Sequence, residues 1–230
     1  MQNNKSKIAA IITAGGSGKR FQSGTKKQFL EIAGRPLLFY TIDKFYLHPQ
    51  IDNVLVSLPP DEFERSKELT SKEFPEIEFI IGGKERQDSV YNALINCPAD
   101  TDYVLIHDGV RPFISEQEIS ELIEKVQTQK AVIIVSGMKN TIKKVDEEKI
   151  IETIPRENLM NALTPQVFDF HLIKKYHQQA KAKNLYFTDD AAILEHFGEP
   201  VFYLEGSSKN FKITELIDFE IAKKILEQKL

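Results

Sequence analysis

The sequence predicts an α/β fold in which helices cover both faces of a mainly parallel β-sheet. Short apolar runs rich in valine and isoleucine alternate with amphipathic segments along the chain, which is the pattern of βα units. The 230 residues, 41% of them hydrophobic and 28% charged, are enough for one large core and lack the composition of a disordered chain. We therefore predict a three-layer α/β/α sandwich formed by a single domain that spans residues 1–230.

Six apolar runs are predicted to form strands, and six amphipathic segments are predicted to form helices between them. The strands are Ile8–Thr13, Asn53–Leu58, Glu78–Ile81, Tyr103–Ile106, Ala131–Val135 and Val201–Leu204. The helices are Leu37–Tyr46, Asp61–Ser71, Asp88–Asn96, Glu116–Gln127, Phe170–Ala182 and Ile217–Gln228. In such sheets ligands bind beyond the carboxyl ends of the strands, so the residues that follow each strand are the candidates for function.

A glycine-rich loop follows the first predicted strand and is itself followed by two cations, Lys19 and Arg20. Backbone N–H groups of such a loop can surround an anion closely, because glycine has no side chain to keep the ligand away. Lys26 and Lys27 add two cations to the same connection in a chain whose formal net charge is -4. This local positive charge favours a polyphosphate ligand. The loop fits neither the P-loop nor the dinucleotide-binding pattern, and a solvated basic loop is the alternative interpretation.

The third predicted strand stops at Gly82 and Gly83, and a helix begins within the next few residues. Glycine at this point lets a flat nucleobase approach the backbone, and the hydroxyl of Ser89 could hydrogen-bond the base or a ribose. A simple turn before a capped helix explains the same residues without any ligand. The motif indicates a ligand site only in combination with the other loops at this edge of the sheet.

The fourth predicted strand ends at Ile106 and is followed by His107 and Asp108, which places Asp108 at the ligand-binding edge. A carboxylate near bound phosphates suits Mg²⁺, which takes oxygen ligands and commonly uses one or two carboxylates plus phosphate. Asp108 is therefore the predicted metal ligand, and Mg²⁺ is the predicted cofactor. A helix cap or an ion pair with Arg111 is the competing interpretation. The histidines have no partners at metal-ligand spacing, and we predict structural roles for them.

The segment Lys139–Arg156 breaks the alternation and is predicted to form two strands around an acidic turn at Asp146–Glu148. Its aliphatic residues are too few to form a core of their own, and an isolated hairpin is only marginally stable. We therefore predict a protruding β-arm at about residues 137–157 that is stabilised by packing on a second subunit in a homodimer.

Two cations in the second half of the chain are further candidates for binding phosphate. Arg156 ends the arm and presents a guanidinium suited to bidentate contact, while Lys212 offers a point charge on a short apolar segment. Either could equally be a surface charge. Thr188–Ala191 has the pattern of a helix N-cap followed by acidic residues, and it predicts a helix start without chemistry.

Composition narrows the class of protein further. Cys97 is the single cysteine, so the chain has neither a disulfide framework nor a cysteine cluster for zinc. The first seven residues run straight into a strand, and no apolar stretch approaches the length of a membrane span. The isoelectric point near 5.8 argues against extended nucleic-acid binding. We expect a cytoplasmic protein that binds neither nucleic acid nor membrane.

Taken in their order along the chain, these motifs resemble those of the 2-C-methyl-D-erythritol 4-phosphate cytidylyltransferase family. The similarity extends from about Ile8 to the last predicted helix, which is nearly the whole chain. Seven ordered motifs are far more specific than one glycine loop. The motifs are Ala14–Arg20, Lys27–Leu30, Gly82–Val90, His107–Pro112, Leu163–Gln166, Thr188–Ala191 and Asn210–Thr214.

The resemblance implies a homodimer of Rossmann-like subunits with interlocking arms, which converts CTP and methylerythritol phosphate into a CDP-alcohol and pyrophosphate. It implies that Arg20 and Lys27 stabilise the transition state at the α-phosphate and that Asp108 binds Mg²⁺. The residues implied to hold the nucleotide are Ala14, Gly15, Gly16, Gly18, Gly83 and Ser89. Those implied to bind the acceptor are Arg111, Thr141, Arg156, Thr164 and Lys212. Thr141, Arg156 and Arg111 are implied to reach the acceptor across the dimer interface, and Arg156 and Lys212 to position its phosphate for catalysis.

The implied chemistry agrees with the residues present. A phosphate monoester has a second pKa of about 6 and is already an anionic nucleophile near neutral pH, so no strong general base is needed. The barrier comes from bringing two anions together in line, which is a task for cations, Mg²⁺ and positioning. The absence of a catalytic histidine or cysteine pattern is therefore expected.

Two alternatives remain at this stage. Ribitol-5-phosphate cytidylyltransferases share the fold and most motifs, and Ala14–Gly16 and His107–Pro112 are closer to that family. Gly83–Val90, Asn140–Lys143 and Thr188–Ala191 are closer to the methylerythritol family, which we favour. A non-catalytic nucleotide-binding protein would be expected to lose the loop cations, which this chain keeps. Lys26 stands where the favoured family usually has proline, and we assign the catalytic lysine to Lys27.

Overall fold

The computed structural model describes residues 5–16 and 26–228, and within them seven helices and eleven strands form the fold. The helices are α1 (Leu37–Tyr46), α2 (Phe63–Ser71), α3 (Arg86–Asn96), α4 (Glu116–Gln129), α5 (Phe170–Ala182), α6 (Asp190–His196) and α7 (Leu216–Glu227). The strands are β1 (Ile8–Thr13), β2 (Glu31–Ile32), β3 (Arg35–Pro36), β4 (Asn53–Leu58), β5 (Glu78–Ile81), β6 (Tyr103–Asp108), β7 (Ala131–Gly137), β8 (Ile142–Asp146), β9 (Lys149–Ile154), β10 (Met160–Asp169) and β11 (Phe202–Glu205).

Seven of the strands form one central sheet in the order β11-β7-β10-β6-β1-β4-β5. The β1 strand is an interior strand next to the central β6, parallel to both β4 and β6, with Ile11 beside Leu55 on one side and Ile106 on the other. The β10 strand runs antiparallel to both of its neighbours, β6 and β7. The mainly parallel sheet predicted from the sequence is therefore confirmed.

The alternating side chains of β1 enter two different cores, one on each face of the sheet. Ile8, Ala10 and Ile12 pack with residues of α1 and α4, whereas Ala9 and Ile11 pack with residues of α3, α5 and α6. Each core is formed almost entirely from side chains that are fully removed from water. This division confirms the three-layer sandwich, because only a strand covered on both faces buries every residue.

The strand β10 is the main element that the sequence did not reveal. It contains Pro165, and proline within a strand removes a backbone donor from the ladder. The structure accommodates it at an irregularity, since Ala162 pairs with Val135 but Gln166 already pairs with Ile133. Two extra residues of β10 thus lie between two consecutive pairs, and Pro165 sits where the regular ladder is interrupted.

Several predicted boundaries shift by one or two residues, and two shifts affect function. The β6 strand continues through His107 and ends at Asp108, so Asp108 is held by the sheet instead of a loop. The α3 helix begins at Arg86, with Glu85 and Asp88 forming a capping box. The predicted helix start at Thr188–Ala191 is confirmed, because Asp189 caps the short helix α6 through a hydrogen bond from the Ala192 N–H.

The strands β8 and β9 form a separate two-stranded antiparallel sheet in the region predicted as an arm. Val145 and Ile150 lie opposite each other in this hairpin, and their exposed fractions are 62% and 65%. An isolated hairpin with exposed aliphatic residues has little to stabilise it within its own chain. No helix that the structure describes has the length and apolar character needed to cross a lipid bilayer.

Candidate active site

A cavity of about 430 Å³ lies at the carboxyl ends of the central strands, where the loops after β1, β4 and β5 meet the end of β6. Of the predicted site residues, those that line it are Ala14, Gly15, Gly16, Lys27, Gly83, Ser89, Asp108 and Lys212. Five separate motifs of the sequence thus contribute to one cavity. Gly18 and Arg20 lie outside the described residues.

The described part of the glycine loop is held in place by the side chain of Gln28. Its amide donates hydrogen bonds to the carbonyl oxygens of Ala14 at 2.6 Å and Gly16 at 3.2 Å, and Gln28 is almost fully buried. A Cβ placed on Gly16 would meet no atom within 4 Å, so that edge of the loop faces open space. This anchoring role was not predicted, because the two lysines before Gln28 were the residues considered for binding.

The second glycine motif is shaped by Ser89. Its hydroxyl accepts a hydrogen bond from the Gly83 N–H at 2.9 Å and lies 3.2 Å from the Glu85 carbonyl, to which it donates. A Cβ on Gly83 would come within 2.1 Å of the Asp88 Cβ, so only glycine fits this turn. Glycine is needed here for close packing and not for a positive φ.

Asp108 is the electrostatic centre of the cavity. Its carboxylate contacts Arg86 Nε at 3.0 Å, Arg111 Nε at 3.3 Å and Lys212 Nζ at 2.9 Å. Burial alone would raise the pKa of Asp108, but Arg86, Lys212 and Arg111 hold that pKa well below its ordinary value. The side chain is therefore ionised, and it gathers three cations at the base of the cavity.

Arg86 connects this centre to a second buried carboxylate, Asp190. The guanidinium donates to Asp190 at 2.7 Å, and the other oxygen of Asp190 lies 3.1 Å from His177 Nε2. Burial lowers the pKa of Arg86, but Asp190 and Asp108 outweigh burial and raise it above its ordinary value. The sequence analysis assigned no role to Arg86 and treated Asp190 only as part of a helix start, because their pairing spans 104 residues.

The Asp108 backbone is fixed by a buried hydrogen-bond chain. The Asp108 N–H donates to Thr164 Oγ1 at 3.1 Å, and the Thr164 hydroxyl lies 3.0 Å from His107 Nδ1. His107 Nε2 lies 3.0 Å from the Arg111 carbonyl, which can only accept, so the neutral ring carries its proton on Nε2. Burial lowers the His107 pKa to about 4. Thr164, predicted to bind the acceptor, is not among the residues that line the cavity.

A second cavity of about 460 Å³ is lined in part by Arg111, Lys139, Asn210 and Lys212. Because Lys212 lines both cavities, the two spaces adjoin at its side chain. Arg111 is held there by Asp108 and by the Asn210 carbonyl, to which it donates at 3.0 Å. This adjoining space is large enough for a small second substrate beside the first.

The predicted acceptor residues Thr141 and Arg156 lie at the base of the arm and are exposed. The Arg156 guanidinium donates to the Lys139 carbonyl. Neither residue is among those that line the two cavities of the described chain. Within one subunit, Arg156 is connected to the second cavity through Lys139, which lines it.

Lys27 contacts Ile213, the residue that follows Lys212 in the chain. Lys27 Nζ donates to the carbonyl of Ile213 at 3.1 Å, so the loop lysine is attached to the neighbour of Lys212.

The described residues contain no group of three or more histidine, cysteine, aspartate or glutamate side chains placed to hold a metal ion. A divalent cation bound at Asp108 would complete its coordination with phosphate oxygens and water.

The chain is similar to known proteins over nearly its whole length. A family model described as 2-C-methyl-D-erythritol 4-phosphate cytidylyltransferase (IspD) matches residues 8–228. Proteins of that name from Halalkalibacterium halodurans and Desulforamulus reducens are 40% identical over 223 residues and 39% identical over 226 residues. Each match covers 96% of this chain and 97% of the relative. The crystal structure of 4-diphosphocytidyl-2C-methyl-D-erythritol synthase from Anaerococcus prevotii matches with a TM-score of 0.85 at 31% identity over 97% of both chains.

Proposed function

The chain belongs to the 2-C-methyl-D-erythritol 4-phosphate cytidylyltransferase family, and from this premise we propose how its residues carry out the reaction. The enzyme transfers CMP from CTP to 2-C-methyl-D-erythritol 4-phosphate and releases pyrophosphate. The observation that best supports this function is the single cavity that joins two glycine loops, Lys27 and the Asp108–Lys212 pair. Glycine loops suit a nucleotide, and the cations suit the phosphates of two anionic substrates.

The chemical step exchanges one phosphorus–oxygen bond for another. An oxygen of the acceptor phosphate attacks the α-phosphorus of CTP, and the bond from that phosphorus to the β-bridging oxygen breaks. The electron pair leaves with pyrophosphate, and the product contains a new diphosphate linkage. The attacking phosphate is already anionic near neutral pH, so the protein's main tasks are positioning and charge stabilisation.

The cations divide these tasks by position. We assign Lys27, together with Arg20, to the α-phosphate, where negative charge spreads in the transition state. Lys212 lies between the two cavities and is assigned to the acceptor phosphate. In the structure its ammonium forms an ion pair with Asp108. The acceptor phosphate therefore binds a cation that Asp108 already positions. Ala14, Gly15, Gly16, Gly18, Gly83 and Ser89 are assigned to the nucleotide.

Mg²⁺ fits this site as a substrate-bound cation. Asp108 is ionised at the cavity wall and offers hard oxygen ligands, and Mg²⁺ commonly combines one or two carboxylates with phosphate oxygens and water. When bound there, the metal would neutralise phosphate charge and orient the triphosphate. Asp108 would serve as its ligand once Lys212 has moved to the acceptor phosphate.

We further propose that the enzyme is a homodimer in which each arm completes the partner's acceptor site. The support is that Thr141 and Arg156 lie at the base of an arm with exposed aliphatic residues and are not among the residues that line the two cavities of their own chain. A complementation assay tests this arrangement. Lys212→Met and Arg156→Met proteins, each inactive alone, are denatured together, refolded as a mixture and assayed.

If Arg156 acts in the partner's site, every mixed dimer contains one site with both residues intact. Random mixing then restores about a quarter of wild-type activity, since half of the dimers are mixed and each has one good site of two. If Arg156 acts within its own chain, the mixture stays as inactive as its components.

The function itself is tested by pyrophosphate release. Purified protein is incubated with CTP and Mg²⁺, with methylerythritol 4-phosphate, with ribitol 5-phosphate or without acceptor. We expect release only with the methylerythritol acceptor. Release only with ribitol 5-phosphate would assign the enzyme to the other cytidylyltransferase family, and release with neither acceptor would indicate nucleotide binding without catalysis.

We also propose that the enzyme acts in the cytoplasm, where CTP is available. The chain has a single cysteine, Cys97, and therefore cannot form an internal disulfide, which suits a reducing compartment. Cell fractionation with an antibody against the chain tests this location.

A further inference from the structure

Lys26, the neighbour of Lys27 on the loop after β1, forms an ion pair with Asp61 at the cavity wall. Both residues line the same cavity as the glycine loops. Their exposure differs greatly, because the Lys26 side chain is only 12% exposed whereas that of Asp61 is 70% exposed. The cation is thus largely enclosed by protein, and its partner stands mostly in solvent.

The lysine is held more firmly than the aspartate. The Lys26 carbonyl accepts a hydrogen bond from the Phe29 N–H at 2.9 Å, which fixes its backbone at the start of the 3₁₀ turn Lys27–Phe29. Asp61 lies in the short 3₁₀ turn Pro60–Glu62 that follows β4. An exposed carboxylate on a surface turn can move away at little cost, whereas an enclosed ammonium keeps its place.

Lys26 is held differently from three other cations that line the cavity. Arg86 and Lys212 are held on Asp108, and Lys27 is attached to the carbonyl of Ile213. Lys26 lies on the loop after β1 and faces Asp61, which follows β4. A triphosphate whose α-phosphate lies near Lys27 carries two further phosphates, and these need a counter-charge of their own.

We propose that Lys26 binds the β- and γ-phosphates of the nucleotide and that Asp61 occupies their place while the cavity is empty. Nucleotide binding then exchanges one anion for another on the same ammonium. The hydrogen bond from Lys26 also lowers the pKa of Asp61, so the carboxylate is ionised and competes with phosphate near neutral pH. This inference rests on the proposed use of CTP and adds a residue pair that sets affinity for the leaving pyrophosphate.

Equilibrium binding by calorimetry tests the exchange without depending on turnover. CTP and CMP are titrated into wild type, Lys26→Met, Asp61→Asn and the double variant, with Mg²⁺ present and no acceptor. We expect Lys26→Met to weaken CTP binding about tenfold, the scale of one charge-assisted hydrogen bond. CMP binding should be unchanged, because CMP lacks the two phosphates in question.

The Asp61→Asn variant gives the sharper result. It should tighten CTP binding severalfold when Lys26 is present and have no effect when Lys26 is replaced by methionine. Lys72→Met is the matched control, since Lys72 forms an exposed ion pair with Glu68 on α2 outside this cavity. That control should bind both nucleotides as wild type does.

The outcomes separate this inference from the proposed function. Failure of wild type to bind CTP at all would contradict the proposed function. Normal CTP binding by wild type and equal binding by Lys26→Met would overturn the role of Lys26 alone. An equal gain from Asp61→Asn in both backgrounds would show a general charge effect and overturn the exchange.

Discussion

At the scale of single residues, the cavity is organised by one carboxylate that holds three cations. The sequence placed Asp108 correctly at the ligand-binding edge, and the ion pair with Arg111 that it offered as an alternative is present. It could not reveal Arg86 or Asp190 as partners, because no local pattern links residues on different elements. Their roles depend on tertiary contacts alone.

Lys27 gives the most direct prediction at this scale. Its ammonium lines the cavity beside the Ile213 carbonyl, and we assign it to charge that develops in the transition state. We expect Lys27→Met to lower kcat by about a hundredfold or more while weakening CTP binding much less. Lys224→Met, an exposed change on α7, is the control and should retain wild-type kcat. Wild-type turnover by Lys27→Met would remove this residue from the mechanism.

His107 predicts how stability depends on pH. Its pKa is about 4 in the folded protein and near 6.5 when unfolded, so between these values only the unfolded chain takes up the proton. Stability from this group is complete above about pH 6.5 and decreases as the pH falls toward 4. The full loss is about 3 kcal/mol, since one pKa unit corresponds to about 1.4 kcal/mol.

Urea unfolding at pH 7 and pH 5 measures this effect. We expect His107→Asn to be less stable than wild type at pH 7 but to lose less stability on acidification. His171→Asn changes an exposed histidine and should follow the wild-type pH dependence. Equal acid sensitivity of all three proteins would show that His107 is not the responsible group.

At the scale of elements, most helices and strands followed from hydrophobic periodicity and from glycine and proline at their ends. The bounds of β1, β4, β5, α1 and α5 agree with the predictions. The β10 strand was not predicted, because proline is unusual inside a strand and Pro165 lies within it. Of α6, only the first turn was predicted. Local patterns therefore specified the elements whose sequence signals are regular, and tertiary pairing specified the rest.

The ion pair Arg86–Asp190 joins α3 to α6 beside the active-site end of β6 and gives a prediction at this scale. Asp190→Asn leaves the Arg86 guanidinium with less compensating charge, so we expect a loss of about 3 kcal/mol in urea unfolding. Asp189→Asn is the matched control, because it keeps the helix cap and loses only an acceptor for Gln166. The control should lose about 1 kcal/mol or less. Equal losses would mean that the charge of Asp190 is unimportant.

The arm predicts an effect on assembly. Replacing Val145 and Ile150 with serine removes the exposed aliphatic pair, and we expect the variant to sediment as a monomer and to lose acceptor-dependent turnover. CTP binding should persist, since the nucleotide loops lie in the main domain. Leu47→Ser, which alters an exposed leucine after α1, should leave the sedimentation unchanged. A variant arm that still sediments as wild type would contradict the proposed interface.

At the scale of the whole molecule, the fold brings together loops that are distant in sequence at one edge of the sheet. The chain is negative overall, with a formal charge of -4, yet it concentrates lysine and arginine around one cavity. Fold class and the main site motifs could be predicted, because parallel βα units place every strand's carboxyl end on the same edge. The completion of the acceptor site by a second subunit could only be proposed, since it depends on a partner's surface.

In the proposed reaction, this cavity transfers the α-phosphoryl group of CTP, with its cytidine, to an acceptor phosphate. The most direct measurement follows the α-phosphorus, using CTP labelled with ³²P at that atom together with methylerythritol 4-phosphate. We expect all transferred label to appear in the CDP-alcohol and none in pyrophosphate. Label in pyrophosphate or inorganic phosphate, or no acceptor-dependent labelled product, would contradict the account.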